Sequence, residues 1–162
     1  MRIAVISDTH MPLGGRRLPE ACVERMRAAD LIVHAGDLAT PEVLAAVRRH
    51  GEVRAVHGNV DDARVRALLP ATQTLELEGV RVAVVHDGGP AIGRLERLRS
   101  RFPDAAAVIF GHSHIPLHES APDGFQIFNP GSPTERRRAP HHTMGMARVE
   151  GGRVSFELVE LD

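Results

Sequence analysis

Residues 2–10 read RIAVISDTH. Ile3, Ala4, Val5 and Ile6 form a short, largely β-branched apolar run, the composition of a buried strand. The run ends almost at once in Asp8 and His10, two residue types that bind metal ions well. The same device recurs four times. LIVHAG (31–36) runs into Asp37, and VRAVHG (53–58) runs into Asn59. VRVAVV (80–85) runs into His86, and AAVIFG (106–111) runs into His112 and His114. If the runs are strands, seven oxygen and nitrogen donors lie along one edge of a sheet. That is enough for two metal ions.

Outward from these runs, the first part of the chain alternates strands and helices. Strands are predicted over 2–7, 31–35 and 53–57. Helices are predicted from Pro19 to about Ala28, with the proline at the first helical position. Another runs from Pro41 to about His50 behind a Thr40 cap. A short one covers Asp62 to Leu69, stopping before Pro70. A β-α-β-α-β order implies parallel pairing with right-handed crossovers. The second part changes character. Residues 73–78 and 80–85 flank Glu78-Gly79 as a hairpin. A helix fits Ile92 to Arg101, and a buried strand fits 106–110. Short strands follow near 115–119, 125–128, 143–149 and 153–160, the last two around Glu150-Gly151-Gly152. The expected fold is α/β, with two mixed sheets packed face to face and helices outside. No linker or composition break divides the 162 residues, so one domain is expected over 1–162.

Composition removes several chemistries. All 20 basic residues are Arg. Without Lys there is no Schiff-base chemistry and no P-loop lysine. Without Tyr or Trp there is no phenolic nucleophile, and only five Phe remain for base stacking. Cys22 is the single cysteine, which excludes an internal disulfide and a cysteine-rich cluster. It falls in a helical pattern and reads as a packed core residue. The net charge of −1 supplies no global field for nucleic acid, and stable nucleic-acid binding is not expected. No apolar run is long enough to span a membrane, and the N-terminus lacks a signal-peptide pattern. A cytoplasmic location is therefore expected. Homo-oligomerisation is left open.

In open α/β sheets, ligands bind beyond the carboxyl ends of the strands. All five clusters fall there. Asp8-Thr9-His10 and His112-Ser113-His114 each place two donors two residues apart. In extended backbone that spacing puts both side chains on one side. A lone Asp at a strand end is usually a cap or turn former, and a lone His is usually packed or solvated. Five strand ends of donor type in one short chain are far more specific.

The set Asp8-x-His10, Gly36-Asp37, Gly58-Asn59, His86 and Gly111-His112-x-His114 resembles the calcineurin-like metallophosphoesterase superfamily. The short length and Asn129-Pro130-Gly131-Ser132 are similar to its small YfcE-like phosphodiesterase branch. The resemblance covers nearly the whole chain and implies a four-layer α/β/β/α sandwich. It implies one metal held by Asp8, His10, Asp37 and His114. It implies a second held by Asp37, Asn59, His86 and His112, with Asp37 bridging the pair; a carboxylate can use one oxygen for each ion. Asp37, Asn59 and His10 are the expected catalytic contributors. Two divalent ions are expected, manganese first, with iron, nickel or zinc as alternatives. Ions roughly 3.5–4 Å apart clamp a phosphate and lower the pKa of a bridging water. The expected activity is hydrolysis of small or nucleotide-like phosphodiesters by a metal-bridging hydroxide. The alternatives are a phosphomonoesterase or nucleotidase on the same site, or a non-catalytic scaffold such as a eukaryotic retromer subunit that resembles this branch.

Two departures stand out. Larger family members carry His directly after the Asn, where this chain has Val60 followed by Asp61. The second is His86-Asp87-Gly88, where the small branch often has Gly directly after the His. Beside the site, His34 fits either a contact to the ligand loops or plain core packing, and His57 fits packing. Asp61 could orient Asn59, orient a metal-bound His, or cap the next helix. Gly36, Gly58 and Gly111 suggest close backbone approach or positive φ. Gly14-Gly15 and Gly88-Gly89 read as flexible loops. His50, His118, His141 and His142 read as solvated. The run Arg136-Arg137-Arg138 reads as a solvated face unless its loop approaches the site to bind phosphate.

Overall fold

The computed structural model describes all of residues 1–162. Ten strands form two five-stranded sheets. In the first, β1 (Arg2–Ile6) pairs in parallel with β2 (Leu31–His34), and β2 pairs in parallel with β3 (Val53–Ala55). The hairpin β9 (Thr143–Glu150) and β10 (Arg153–Glu160) returns to complete this sheet on the other side of β1, in the order β10-β9-β1-β2-β3. In the second sheet, β4 (Thr72–Leu77) pairs antiparallel with β5 (Val80–Val85). Then β5, β6 (Ala107–Ile109) and β8 (Gln126–Asn129) run parallel, with β7 (Leu117–Ser120) antiparallel at the edge.

The period-2 alternation of β1 explains the layering. Ile3 and Val5 face the second sheet and pack with Val82, Val84, Ile109 and Phe128. Ala4 and Ile6 face outward, under α1 (Glu20–Arg27) and α2 (Pro41–Arg48), and meet Cys22, Met26, Leu44 and Val47. On the far side, Val85, Val108 and Phe110 pack under Leu98 of α4 (Arg94–Arg101). The expected α/β/β/α sandwich of two mixed sheets is therefore the observed one. Cys22 is fully buried, and burial pushes its thiol up to about 12, which disfavours the thiolate, in keeping with a packed core residue. No helix is long and apolar enough to cross a membrane.

Several element ends differ from expectation. Pro19 stands at the cap of α1 with an extended backbone, one residue before the helix, instead of at its first position. Thr40 occupies the cap position of α2, but its side chain makes no capping hydrogen bond. The helix α4 starts at Arg94 instead of Ile92, because Gly93 adopts a left-handed conformation that breaks the turn. Pro116 lacks the amide hydrogen a ladder needs, and β7 begins just after it, at Leu117. Gly14-Gly15 is not a loose loop but the end of a short 3-10 turn, Leu13–Gly15. The register matters most for function. Ile6, His34 and Ala55 lie side by side across β1, β2 and β3. Val84 and Ile109 do so across β5 and β6. Five parallel strands therefore finish at one edge of the sandwich.

Candidate metal centre

That edge gathers all seven expected donors. Asp8 and His10 follow β1, Asp37 follows β2, and Asn59 follows β3. His86 follows β5, and His112 and His114 follow β6. They do not converge through extended backbone, as the two-residue spacings suggested. Asp8, His10, Asp37, His112 and His114 all have positive φ, between 44° and 71°. Asp and His enter this left-handed region more readily than most residues, yet each such residue still costs free energy. Five in one place are held by surrounding structure. The turn also separates His112 from His114. His114 points to Asp8 and His10, whereas His112 points to Asn59.

The donor atoms fall into two groups that meet at the two carboxylates, since Asp8 Oδ1 also lies 3.9 Å from His86 Nε2. Asp8 Oδ1 lies 3.5 Å from His114 Nε2 and 3.9 Å from His10 Nε2. All three atoms are buried and make no hydrogen bond. Buried, unpartnered donor and acceptor atoms are costly, and converging ones suit a cation. In the second group, Asn59 Oδ1 lies 3.0 Å from His86 Nε2 and 3.1 Å from His112 Nδ1. Asp37 Oδ2 stands between the groups, 3.4 Å from His10 Nε2 and 3.3 Å from His86 Nε2. Its other oxygen accepts a hydrogen bond from the Val60 amide. Oδ2 alone therefore faces both groups, with Oδ1 engaged by the backbone. Asp8, His10, Asp37, His86 and His114 are buried, while Asn59 and His112 are exposed. The site is closed on one side and open on the other.

Hydrogen bonds fix which ring nitrogen each His presents. His86 Nδ1–H donates to the Ala35 carbonyl, tying the two sheets together and turning Nε2 toward Asn59 and Asp37. His114 Nδ1–H donates to the Glu135 carbonyl, which leaves its Nε2 free and facing Asp8. The Gly36 amide donates to His34 Nδ1, so His34 Nε2–H donates to Thr9 Oγ1. Burial lowers the His34 imidazole to about 4, which keeps it neutral. His34 thus braces the Asp8 and Asp37 loops against each other, which settles its role. His57 is half-buried and touches none of the donors by hydrogen bond.

Asp61 has a different role from those first considered. Its buried carboxylate accepts the amides of Asp37, Ala39 and Gly58, at 3.0, 2.7 and 2.7 Å. It clamps the loops after β2 and β3. The capping role belongs to Asp62, which accepts the Val65 amide at the start of α3 (Ala63–Leu68). Gly58 and Gly111 are needed for close approach. A Cβ on Gly58 would fall 2.0 Å from Asp37 Oδ1, and one on Gly111 would fall 2.0 Å from Ser7 Oγ.

Sequence reasoning missed a second layer of contacts. Ser7 Oγ–H and the His112 amide both donate to Asp8 Oδ2, which turns Oδ1 inward. Ser132 Oγ–H donates to the Asp8 carbonyl, and Thr134 Oγ1–H donates to the Thr9 carbonyl. Asn129 donates to the Gly111 carbonyl and to Ser113 Oγ. Residues 129–134 thus pin both donor loops. The available signal was the turn-forming stretch Asn129-Pro130-Gly131-Ser132. His118 is also more than solvated, since it packs edge-on against Phe128 and Phe156. His141 and His142 turn toward Asp162, away from the donors. Arg97 and Arg94 hold the carbonyls of Gly88 and Gly89, so that loop is fastened.

Charge within the site is strongly coupled. Burial opposes protonation of His10, but the carboxylates of Asp37 and Asp8 outweigh it and raise the imidazole to about 9. Burial likewise opposes charge on His86, and the same carboxylates raise it. Burial would raise Asp37, yet His10, His86 and the Val60 amide hold it well below the usual carboxylate range. A cation entering the site at neutral pH must displace the His10 proton. Manganese affinity is therefore expected to rise roughly tenfold from pH 7 to pH 8. Calorimetric titration at both values checks this, and equal affinities would contradict it. The sign is opposite for the metal-free fold. The raised His10 value supplies stability in full below the ordinary imidazole value, and that stability is lost as pH rises through about 9.

A four-layer sandwich with Asp, His and Asn donors gathered on one strand edge defines the class of α/β metal-dependent phosphoesterases. Residues 1–152 match the model of the calcineurin-like phosphoesterase superfamily domain, and the chain belongs to that superfamily. A protein of Methanothermobacter thermautotrophicus named "Probable metallophosphoesterase" is 34% identical over 161 residues, covering 98% of this chain and 92% of that protein. The solution structure of a Thermotoga maritima protein is 28% identical with a TM-score of 0.76, covering 98% of each chain. Vps29 of Entamoeba histolytica in complex with zinc is 21% identical with a TM-score of 0.75, covering 100% of each chain, a likeness of fold.

Proposed function

We propose that this protein is a dimetal phosphodiesterase acting on small or nucleotide-like phosphodiesters. The observation that carries the reading is the position of Asp37 Oδ2 between the two donor groups, 3.4 and 3.3 Å from His10 and His86. Asp8, His10, His114 and Asp37 would hold one ion, and Asp37, Asn59, His86 and His112 the other. The donor set of imidazole, carboxylate and amide suits manganese, iron, nickel or zinc. When bound, such a pair clamps the phosphoryl oxygens and supplies, near neutral pH, the hydroxide that attacks phosphorus.

The chain's own residues do the rest. Asp61, His34, Ser7 and Ser132 hold the donors at fixed positions, so little reorganisation is needed when substrate arrives. The exposed side, at Asn59 and His112, is where a phosphodiester would enter. Next to Asn59 stands Val60, 41% exposed, which can neither give nor take a proton. General-acid help is worth about 10²–10⁴-fold. An aryl phosphodiester, whose leaving group departs unprotonated, should therefore be cut much faster than an alkyl one. Steady-state rates on bis(p-nitrophenyl) phosphate and a dialkyl phosphate check this, and comparable rates would count against it.

The reading as a whole is tested by metal analysis followed by a phosphoester panel with each candidate metal. Preference for diesters supports it. Preference for the paired monoesters would favour a phosphomonoesterase on the same site. Failure to take up any divalent ion would favour a scaffold.

A further inference from the structure

We infer that Arg137 is a substrate-binding residue, its guanidinium contacting the phosphoryl oxygens of the bound ester. The inference rests on the phosphoesterase reading and extends it to a residue outside the metal donors. This chain has no Lys, so any cationic side chain that touches substrate must be Arg or a protonated His. Of the arginines near the donor loops outside the 136–138 run, four are already engaged. Arg16 pairs with Glu135 and donates to the Leu13 carbonyl. Arg66 donates to the carbonyls of Asp61 and Asn59. Arg94 and Arg97 donate to the carbonyls of Gly88, Gly89, Pro90 and Ile92.

Arg137 differs in three respects. It lies beside the open side of the site, with Nη1–H donating to the carbonyl of His112 at a long 3.3 Å. That is its only hydrogen bond, and no carboxylate pairs with it, so most of its five N–H donors are free. Its backbone is left-handed, with φ of 49°, and its segment is fastened on both sides. Before it, Ser132 and Thr134 bind the Asp8 and Thr9 carbonyls, and His114 binds the Glu135 carbonyl. After it, Arg136 and Ala139 close a turn through a backbone bond and an Arg136 side-chain bond. The backbone beneath Arg137 is held in place, and its guanidinium keeps donors free at the open side of the site. Guanidinium groups match phosphate oxygens in geometry and charge.

The test uses the metal-loaded protein and inorganic phosphate as the probe. Calorimetry measures phosphate affinity for wild type, Arg137→Ala, Arg137→Lys and Arg138→Ala, with metal content checked for each. Arg137 is exposed, so these variants should fold and load metal normally. Expected is a loss of phosphate affinity of about tenfold or more in Arg137→Ala, partial recovery in Arg137→Lys and no change in Arg138→Ala. The kcat/KM for a phosphodiester should fall about 10- to 100-fold in Arg137→Ala. Phosphate affinity and kcat/KM of Arg137→Ala equal to wild type would overturn the inference and leave the phosphoesterase reading intact. Phosphate binding that depends on Arg137 in a protein that hydrolyses no ester would overturn that reading, and with it the substrate role, leaving Arg137 as a phosphate-binding residue only.

Discussion

Asp37→Asn is expected to lower phosphodiester hydrolysis by about 10³-fold or more while leaving the fold intact. The reason lies in the unequal duties of the two carboxylate oxygens. Oδ1 accepts the Val60 amide at 2.9 Å, and an amide oxygen can keep that bond. Oδ2 faces His10 and His86, and Asn replaces it with an NH2 group that carries no negative charge and cannot bind a cation. The substitution therefore removes the group shared by both proposed metal positions without opening a cavity. Metal-dependent charge stabilisation is worth several kcal/mol, which sets the size of the loss. The far-ultraviolet circular dichroism spectrum should stay the same. Turnover within tenfold of wild type, with the fold preserved, would count against a bridging role for Asp37.

Asp61→Ala should give the largest loss of stability. One carboxylate satisfies three backbone amides on two loops, and all three bonds are buried. Alanine leaves those donors without partners, each at about 1–3 kcal/mol. Because the three share one acceptor group, the losses do not simply add, and about 3–5 kcal/mol is expected. In a chain of this size that corresponds to roughly 10 °C in Tm. The loop after β2 carries Asp37 and the loop after β3 carries Asn59, so metal affinity should fall as well, by about 10- to 100-fold. Urea denaturation of the metal-free protein separates the two effects. Asp61→Asn should recover part of the loss, since one oxygen can still accept. A stability change under about 1 kcal/mol would show that water replaces the carboxylate.

The strand ends were legible because two signals coincide there. An apolar run marks a strand in a buried sheet, and an abrupt Asp, His or Asn marks where the chain leaves it. Parallel pairing then brings the ends together, as the shared register of Ile6, His34 and Ala55 shows. What stayed hidden is set by contacts across the fold. The left-handed backbone of Asp8, Asp37 and His112 depends on Asp61, His34 and Ser7, and nothing local in the sequence announces it. Asp61 itself reads equally well as a helix cap, and only the structure shows that Asp62 takes that position. The single-oxygen arrangement of Asp37 follows from the Val60 amide, at the very residue where the sequence showed only a missing His. Ser132 and Thr134 act on loops more than 120 residues away in sequence, a distance at which periodicity says nothing.

The proposed centre has these seven side chains holding two divalent ions with Asp37 between them. Elemental analysis after loading with manganese and removing unbound metal tests it most directly. Two ions per wild-type chain and a reduced content in Asp37→Asn are expected. A wild-type protein that retains no ion, or an Asp37→Asn protein that retains the full wild-type content, would contradict it.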